Sequence, residues 1–317
     1  MPIPRTKKIV DPSFFCVLAA LRENSYPCFQ RRRQRAALQK NSSISPLAVA
    51  LHAGYLPIPL SLLGKVDSAR KHDTLFPAVK TREILDSPDQ KRRLNERIFT
   101  TIAPRYDGAN RVLSFDLDRR WKRRLVEALP AWPAPALADL ACGTGDLTSL
   151  LAARYPDGQV LGIDLTEAML EIARRRCVAP NVKFARGDMS RTGLPAESVD
   201  GVAGGYALRN AADLREVLGE IRRILKPGGL AAFLDFSKPS NPFFRQIELS
   251  LLTFWTGFWG LLLFWNPRTY TYIAESLRSF PDRRQFAALL ETFGLRTVRV
   301  RYFFWGVVEM RIVEKSS

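Results

Sequence analysis

The sequence predicts an α/β protein built on a doubly wound, mostly parallel sheet. Three observations carry that expectation. From about residue 91, strand-like apolar runs alternate with helix-like runs, the order that places a parallel sheet between two helical layers. A glycine turn, "ACGTGD" at 141–146, follows the first of those strands, where such sheets hold small ligands. Two apolar-rich strands joined by Trp305-Gly306 end the chain, which reads as an antiparallel hairpin closing one sheet edge.

Residues 1–90 stand apart. Prolines, serines and the run "RRRQR" (31–35) interrupt short apolar pieces, and residues 1–66 hold ten basic residues against only Asp11 and Glu23. Organelle-targeting peptides share that bias. A poorly ordered extension, or upstream codons read from a misassigned start, accounts for it better. The domain proper is expected over 91–317. Residues 90–103 read as a helix interrupted by Pro104, and 117–129 as a second, strongly basic helix. Strands follow at 136–141, 159–164, 182–188, 199–208 and 230–236, with helices after the first, second and fourth.

Composition narrows the function. Forty-eight Lys and Arg against 31 Asp and Glu give a net charge of +17, which invites an anionic partner. Residues 1–90 hold 14 basic and 7 acidic residues, leaving 34 and 24 for the rest, so the excess forms no single nucleic-acid stripe. Four cysteines lie at no metal-ligand spacing, and a reducing compartment is the simplest reading. Both histidines, His52 and His72, precede residue 90. The predicted domain therefore has no Ser-His-Asp triad, and no metal site is expected in it.

Gly143 and Gly145 allow a ligand to approach the turn backbone. A dinucleotide site would want a third glycine where Thr148 stands. Asp139, Asp164 and Asp188 fall on or at the ends of three successive strands, and the turn has no lysine. Asp164 is placed to bind ribose hydroxyls, and Asp188 the edge of an adenine ring. That set suits a nucleoside carrying a cationic group, and S-adenosyl-L-methionine fits the description.

"IAPRYDGAN" (102–110), "LADLACGTGDLT" (137–148), "GIDLTEAMLEIAR" (162–174), "YALRN" (206–210) and "YTYIAESLRSFP" (270–281) resemble the C-methyltransferases of ubiquinone and menaquinone biosynthesis. These are a branch of the class I S-adenosylmethionine-dependent methyltransferases. The resemblance covers about 91–317. It implies a Rossmann-like, seven-stranded sheet with an antiparallel C-terminal strand. It also implies cofactor contacts at Thr148, Asp164, Asp188, Met189 and Gly205. Gly205 stands where some relatives carry serine, and the ending "GVVEMRIVEK" departs from a histidine-containing tail found in many of them.

The implied reaction moves a methyl group to a ring carbon of a prenylated hydroquinone. That carbon becomes nucleophilic as the neighbouring hydroxyl loses its proton, so the protein must favour a phenolate and align the ring. Arg209, always charged, is the candidate to hold the phenolate. Asn210 is the candidate to orient the ring, and Tyr106 or Asp107 to relay the proton. Demethylmenaquinol is the expected substrate, with the ubiquinone precursor as runner-up. A prenyl tail needs an apolar path, and residues 249–265 hold 17 residues without a charge and three tryptophans. An in-plane or pocket-covering helix at a membrane surface is expected there; a buried lid or a homodimer helix is the alternative. The location expected is cytoplasmic, peripheral on the inner face of the membrane, or else the mitochondrial matrix. A nicotinamide oxidoreductase is disfavoured by Thr148. A nucleic-acid methyltransferase is disfavoured by "YALRN" standing where an Asn/Asp-Pro-Pro-aromatic tetrad belongs. A non-catalytic membrane scaffold is the remaining alternative.

Overall fold

The computed structural model describes residues 87–264 and 268–316, with the side chains of 262–271 outside that description. The basic N-terminal segment lies, up to residue 86, outside the described residues. The sheet has seven strands in the order β3-β2-β1-β4-β5-β7-β6. They are β1 Ala136–Leu140, β2 Gln159–Asp164, β3 Val182–Arg186, β4 Val199–Gly205, β5 Leu225–Phe236, β6 Leu295–Phe303 and β7 Val308–Lys315. β1 to β5 pair in parallel, while β7 runs antiparallel between β5 and β6. The strand order reverses between β1 and β4, and the crevice beyond their carboxyl ends is where a ligand belongs.

Helices cover both faces because successive side chains of a strand point opposite ways. Leu137 packs with Trp121, Leu125, Leu147 and Leu151 of α3 (Asp118–Glu127) and α4 (Asp146–Arg154). Its neighbours Ala138 and Leu140 pack with Val217, Leu218 and Ile221 of α6 (Leu214–Ile224). The helix α5 (Glu167–Arg176) follows β2. A third apolar cluster joins α1 (Pro88–Ile102) and α2 (Tyr106–Leu113), through Ile98, Ile102 and Ala109, to Met169 and Tyr272. Pro104 sits in the short 3-10 turn between α1 and α2.

The expected elements are present, with shifted ends. β3 stops at Arg186 and β4 at Gly205, freeing 187–189 for a loop and 206–210 for a turn that ends in a short 3-10 helix, Leu208–Asn210. β5 starts at Leu225, and the "KPGG" turn is absorbed as a register shift opposite Val199 and Gly201, with Gly228 at φ +72°. The apolar run forms α7 (Pro242–Phe264), which packs on α8 (Arg268–Ser279). α8 and α9 (Arg283–Thr292) were not anticipated from the sequence; Asp282 caps α9 through a capping box with Gln285. Among the described residues no helix is long and apolar enough to cross a membrane.

Candidate active site

The glycine turn starts where β1 ends. Ala141 and Gly143 take left-handed φ values of +52° and +55°, which turn the chain over the strand ends. Gly143 N–H donates to Asp164 Oδ2 at 2.8 Å, and Thr166 N–H donates to Oδ1 at 2.8 Å. The carboxylate at the end of β2 therefore ties β1's turn to β2's, with lone pairs left for a ligand. Burial pushes its pKa up while the two N–H groups pull it down. Asp164, Gly143, Gly187, Asp188, Met189 and Gly205 line one cavity of about 700 Å³, open solvent at its mouth included.

Two expected contacts are corrected. Asp139 and Thr148 are both fully buried, and the Thr148 hydroxyl donates to Asp139 Oδ2 at 2.6 Å. The pair braces β1 against α4 behind the cavity wall and reaches no ligand space. Burial drives the Asp139 carboxyl up to about 7. Gly145 is corrected as well. A Cβ there would lie 3.1 Å from Ala173 Cβ, so with φ +82° its bareness serves α4–α5 packing rather than ligand approach.

Asp188 accepts from Ser190 N–H at 2.8 Å and from Arg92 Nε at 2.5 Å. Arg92 belongs to α1, which lies across the strand ends as a cover. Asn95, also on α1, donates to the Asn210 carbonyl at 2.6 Å and accepts from the Tyr272 hydroxyl. Lys91 reaches the Arg209 carbonyl at 3.4 Å; burial, then the Arg209 charge, lower its pKa to about 8.

A second, apolar cavity of about 940 Å³, its mouth included, adjoins the first. Ile98, Ile102, Trp121, Leu252, Trp255 and Phe304 form much of its wall. Phe99, Tyr106 and Tyr206 line both cavities, so a polar chamber and an apolar chamber meet across three aromatic rings. Arg209 faces the apolar chamber, 6% exposed. Its Nη1 donates to Ser276 Oγ at 2.9 Å, and its Nε lies 3.3 Å from buried Asp235. Burial raises the Asp235 carboxyl to about 6, against the pull of Arg209.

The structure gives Asn210 and Asp107 different work from that expected. The Asn210 amide is engaged within its own loop, donating to the Tyr206 carbonyl at 2.9 Å and accepting from Arg209 at 3.2 Å. It lines the polar chamber and not the apolar one, where the ring it was expected to orient would sit. Asp107 accepts from Thr144 Oγ1 at 2.7 Å and from Arg176 at 2.5 Å. It fastens α2 to the glycine turn, lines neither chamber, and is corrected from proton relay to anchor. Tyr106 does face both chambers, and burial raises its hydroxyl pKa, so it remains a protonated donor near neutral pH. Sequence reasoning missed Arg92, Asn95, Tyr206 and Asp118. Tyr206 stood inside a quoted motif, and Asp118 sits four residues before Lys122, an ion-pair spacing legible in a helix.

Residues 86–315 match the model of the ubiE/COQ5 methyltransferase family. The demethylmenaquinone methyltransferase of Staphylococcus aureus is 34% identical over 223 residues, covering 70% of this chain and 92% of that protein. A SAM-dependent methyltransferase of Thermotoga maritima superposes with a TM-score of 0.50 at 19% identity, over 70% of this chain and 99% of that one. A chain from the complex between the Haloferax volcanii Trm112 methyltransferase activator and the putative methyltransferase gives 0.51 at 17%, over 69% and 98%. Those two likenesses speak for the fold.

Proposed function

The chain belongs to the ubiE/COQ5 methyltransferase family, and from that premise we propose that it methylates a ring carbon of demethylmenaquinol. It is an S-adenosylmethionine-dependent C-methyltransferase of the menaquinone/ubiquinone pathway. One observation carries the proposal: a carboxylate-bearing chamber and an apolar chamber share the wall of Phe99, Tyr106 and Tyr206.

The polar chamber suits the cofactor. Gly143 offers backbone without a side chain at φ +55°, and Asp164 and Asp188 bring negative charge to a space where Arg92, the one arginine lining it among the described residues, is already paired. Asp164 would hold the ribose hydroxyls, Asp188 and Met189 the adenine, and Gly143 and Gly205 backbone the remainder. S-adenosylmethionine supplies an electrophilic methyl group when bound. Arg209 places a permanent positive charge in an apolar chamber, where it favours a phenolate over the neutral hydroxyl. Ser276 and Asp235 fix its direction. Tyr106, kept protonated, donates toward the same oxygen.

The prenyl tail supports a membrane location, on the inner face of the cytoplasmic membrane. Phe243, Phe244, Leu251, Phe254, Phe258 and Leu261 are exposed along α7. Phe115 touches both Trp255 and Phe304, which line the apolar chamber, and Phe304 abuts Trp305, 85% exposed. Arg124 and Arg301 flank Phe303 at 5.8 and 5.5 Å, a basic rim suited to anionic headgroups. Flotation with phosphatidylglycerol vesicles tests this: the protein rises with them, and Phe254→Ser/Trp305→Ser does not. Flotation of the variant with the wild type refutes it.

The substrate test is transfer of labelled methyl from S-adenosylmethionine to demethylmenaquinone, reduced or left oxidised. Label is expected in the reduced quinone alone. Labelling of the ubiquinone precursor instead would move the assignment to that pathway, and labelling of the oxidised form would refute the phenolate chemistry.

A further inference from the structure

The proposed reaction, on which this inference rests, releases one proton, and neither Arg209 nor Tyr106 is suited to take it. The Arg209 guanidinium is permanently charged, and among the described residues the hydroxyl that donates to a carboxylate lining the apolar chamber is that of Tyr206, not Tyr106. Among the described residues lining the apolar chamber, one carboxylate is present: Asp118, at the first position of α3 and 4% exposed. The Tyr206 hydroxyl donates to its Oδ1 at 2.8 Å, and Lys122 Nζ lies 2.8 Å from its Oδ2. Tyr206 itself is held at φ +57°, a costly conformation for a tyrosine. Its N–H donates to the Leu234 carbonyl at 2.6 Å, and Asn210 binds its carbonyl. The strained backbone is what brings this ring to the wall shared by the two chambers.

We propose that Tyr206 and Asp118 form the proton relay of the reaction, Tyr206 Oη receiving the hydroquinone's hydroxyl proton as its own passes to Asp118 Oδ1. The substrate O–H bond breaks, its electron pair enters the ring, and the ring carbon bonds to the methyl group, whose bond to the cofactor's sulfonium would break with its electron pair left on sulfur. That carbon then loses its hydrogen to water as a proton, and the C–H electron pair restores the aromatic ring. Asp118 returns its proton through Tyr206 to the substrate oxygen. One proton leaves per methyl gained, and the relay is reset.

The surroundings fit an acceptor rather than a closed ion pair. Lys122 is shared with Asp146 at 3.5 Å, Asp146 lies 3.7 Å from Arg176, and Arg176 binds Asp107. Three carboxylates thus share two cations, and the string that ends at Asp118 carries surplus negative charge. Burial opposes the Lys122 charge, but Asp118 and Asp146 outweigh it. The groups facing Tyr206 are Asp118, Tyr106, Asp235 and Lys122. Burial, with Asp118 next, holds its hydroxyl well above the ordinary value, so Tyr206 passes a proton on without ionising.

The test uses the full chain and a series of demethylmenaquinol analogues whose substituents make the hydroxyl progressively more acidic. Wild type, Tyr206→Phe and Asp118→Asn are compared for kcat and KM, with cofactor affinity measured by calorimetry. Tyr206→Phe is expected to lower kcat about 10²-fold on the natural substrate, with cofactor affinity unchanged. The loss shrinks as hydroxyl acidity or pH rises, because water then suffices as acceptor. Asp118→Asn follows the same trend. Should it misfold, with Lys122 left facing an amide, Tyr206→Phe, which removes a single oxygen, decides alone. An equal loss across the series, or an unchanged kcat, overturns the relay. A wild type that methylates no analogue overturns the substrate reading and the relay together.

Discussion

Replacing Asp139 by asparagine should stabilise the protein at pH 8 and destabilise it at pH 4. Asp139 is fully buried, its Oδ2 accepts from Thr148, and its Oδ1 has no hydrogen-bond partner. Burial lifts its carboxyl from 3.8 to about 7. Between those values the unfolded chain releases the proton while the folded chain keeps it. Folding then takes up a proton, and stability declines as pH rises from about 4 to about 7. About three pKa units at 1.36 kcal/mol each amount to roughly 4 kcal/mol at pH 7 and above. Asparagine is neutral throughout and still accepts from Thr148. Its amide stands where Oδ1 was, without an acceptor, at a cost of about 1–3 kcal/mol. The net expectation is a gain of about 1–3 kcal/mol at pH 8 and a loss of about that size at pH 4. For a domain this large the pH 8 gain raises Tm by roughly 2–12 °C. Calorimetric unfolding of both proteins from pH 4 to 8 reads the difference. A difference that does not change with pH refutes the buried proton. Cofactor affinity should be unaltered, since Asp139 lies behind the chamber wall, and a tenfold loss would place its side chain in contact with the ligand after all.

Other parts of the site make separate predictions. Asp164→Ala leaves Gly143 N–H and Thr166 N–H without their acceptor; cofactor affinity should fall by about 10²-fold or more, and calorimetric affinity near wild type would count against the ribose assignment. In Gly162→Ala the new methyl lies 2.7 Å from Phe184 Cδ1, so denaturant unfolding should show a loss of about 1–3 kcal/mol, and an unchanged midpoint would mean that the ring yields freely. Arg176→Ala releases Asp107 from an ion pair whose arginine is 41% exposed, so the cofactor KM should rise by no more than about fivefold; complete loss of activity would mean that Asp107 does chemistry.

The sheet was legible because its signals are local. Short apolar runs mark β1, β2 and β4, glycines mark the turn, and strand–helix alternation leaves few topologies open. The position of Asp164 at the end of β2 was legible for the same reason, and it lines the polar chamber. The two chambers were not. Arg92 meets Asp188 across 96 positions, Asp118 meets Tyr206 across 88, and Arg209 meets Ser276 across 67. Each contact depends on how α1, α3 and α8 fold over the strand ends, which no local pattern encodes. The same distance from local rules explains the corrections. Asp139 alternates with Leu140 on a strand buried on both faces, so tertiary packing alone decided that it points at Thr148 and not at a ligand. Asp107 follows Tyr106 by one position on a helix, where neighbours diverge by about 100°. Tyr106 therefore lines both chambers, while Asp107 is turned toward the glycine turn and Arg176. Sequence by itself determined the sheet, the turn and the apolar helix, because backbone periodicity and turn chemistry are written residue by residue. Tertiary structure decided which side chains share a chamber, because burial and charge pairing exist only once distant segments are in contact.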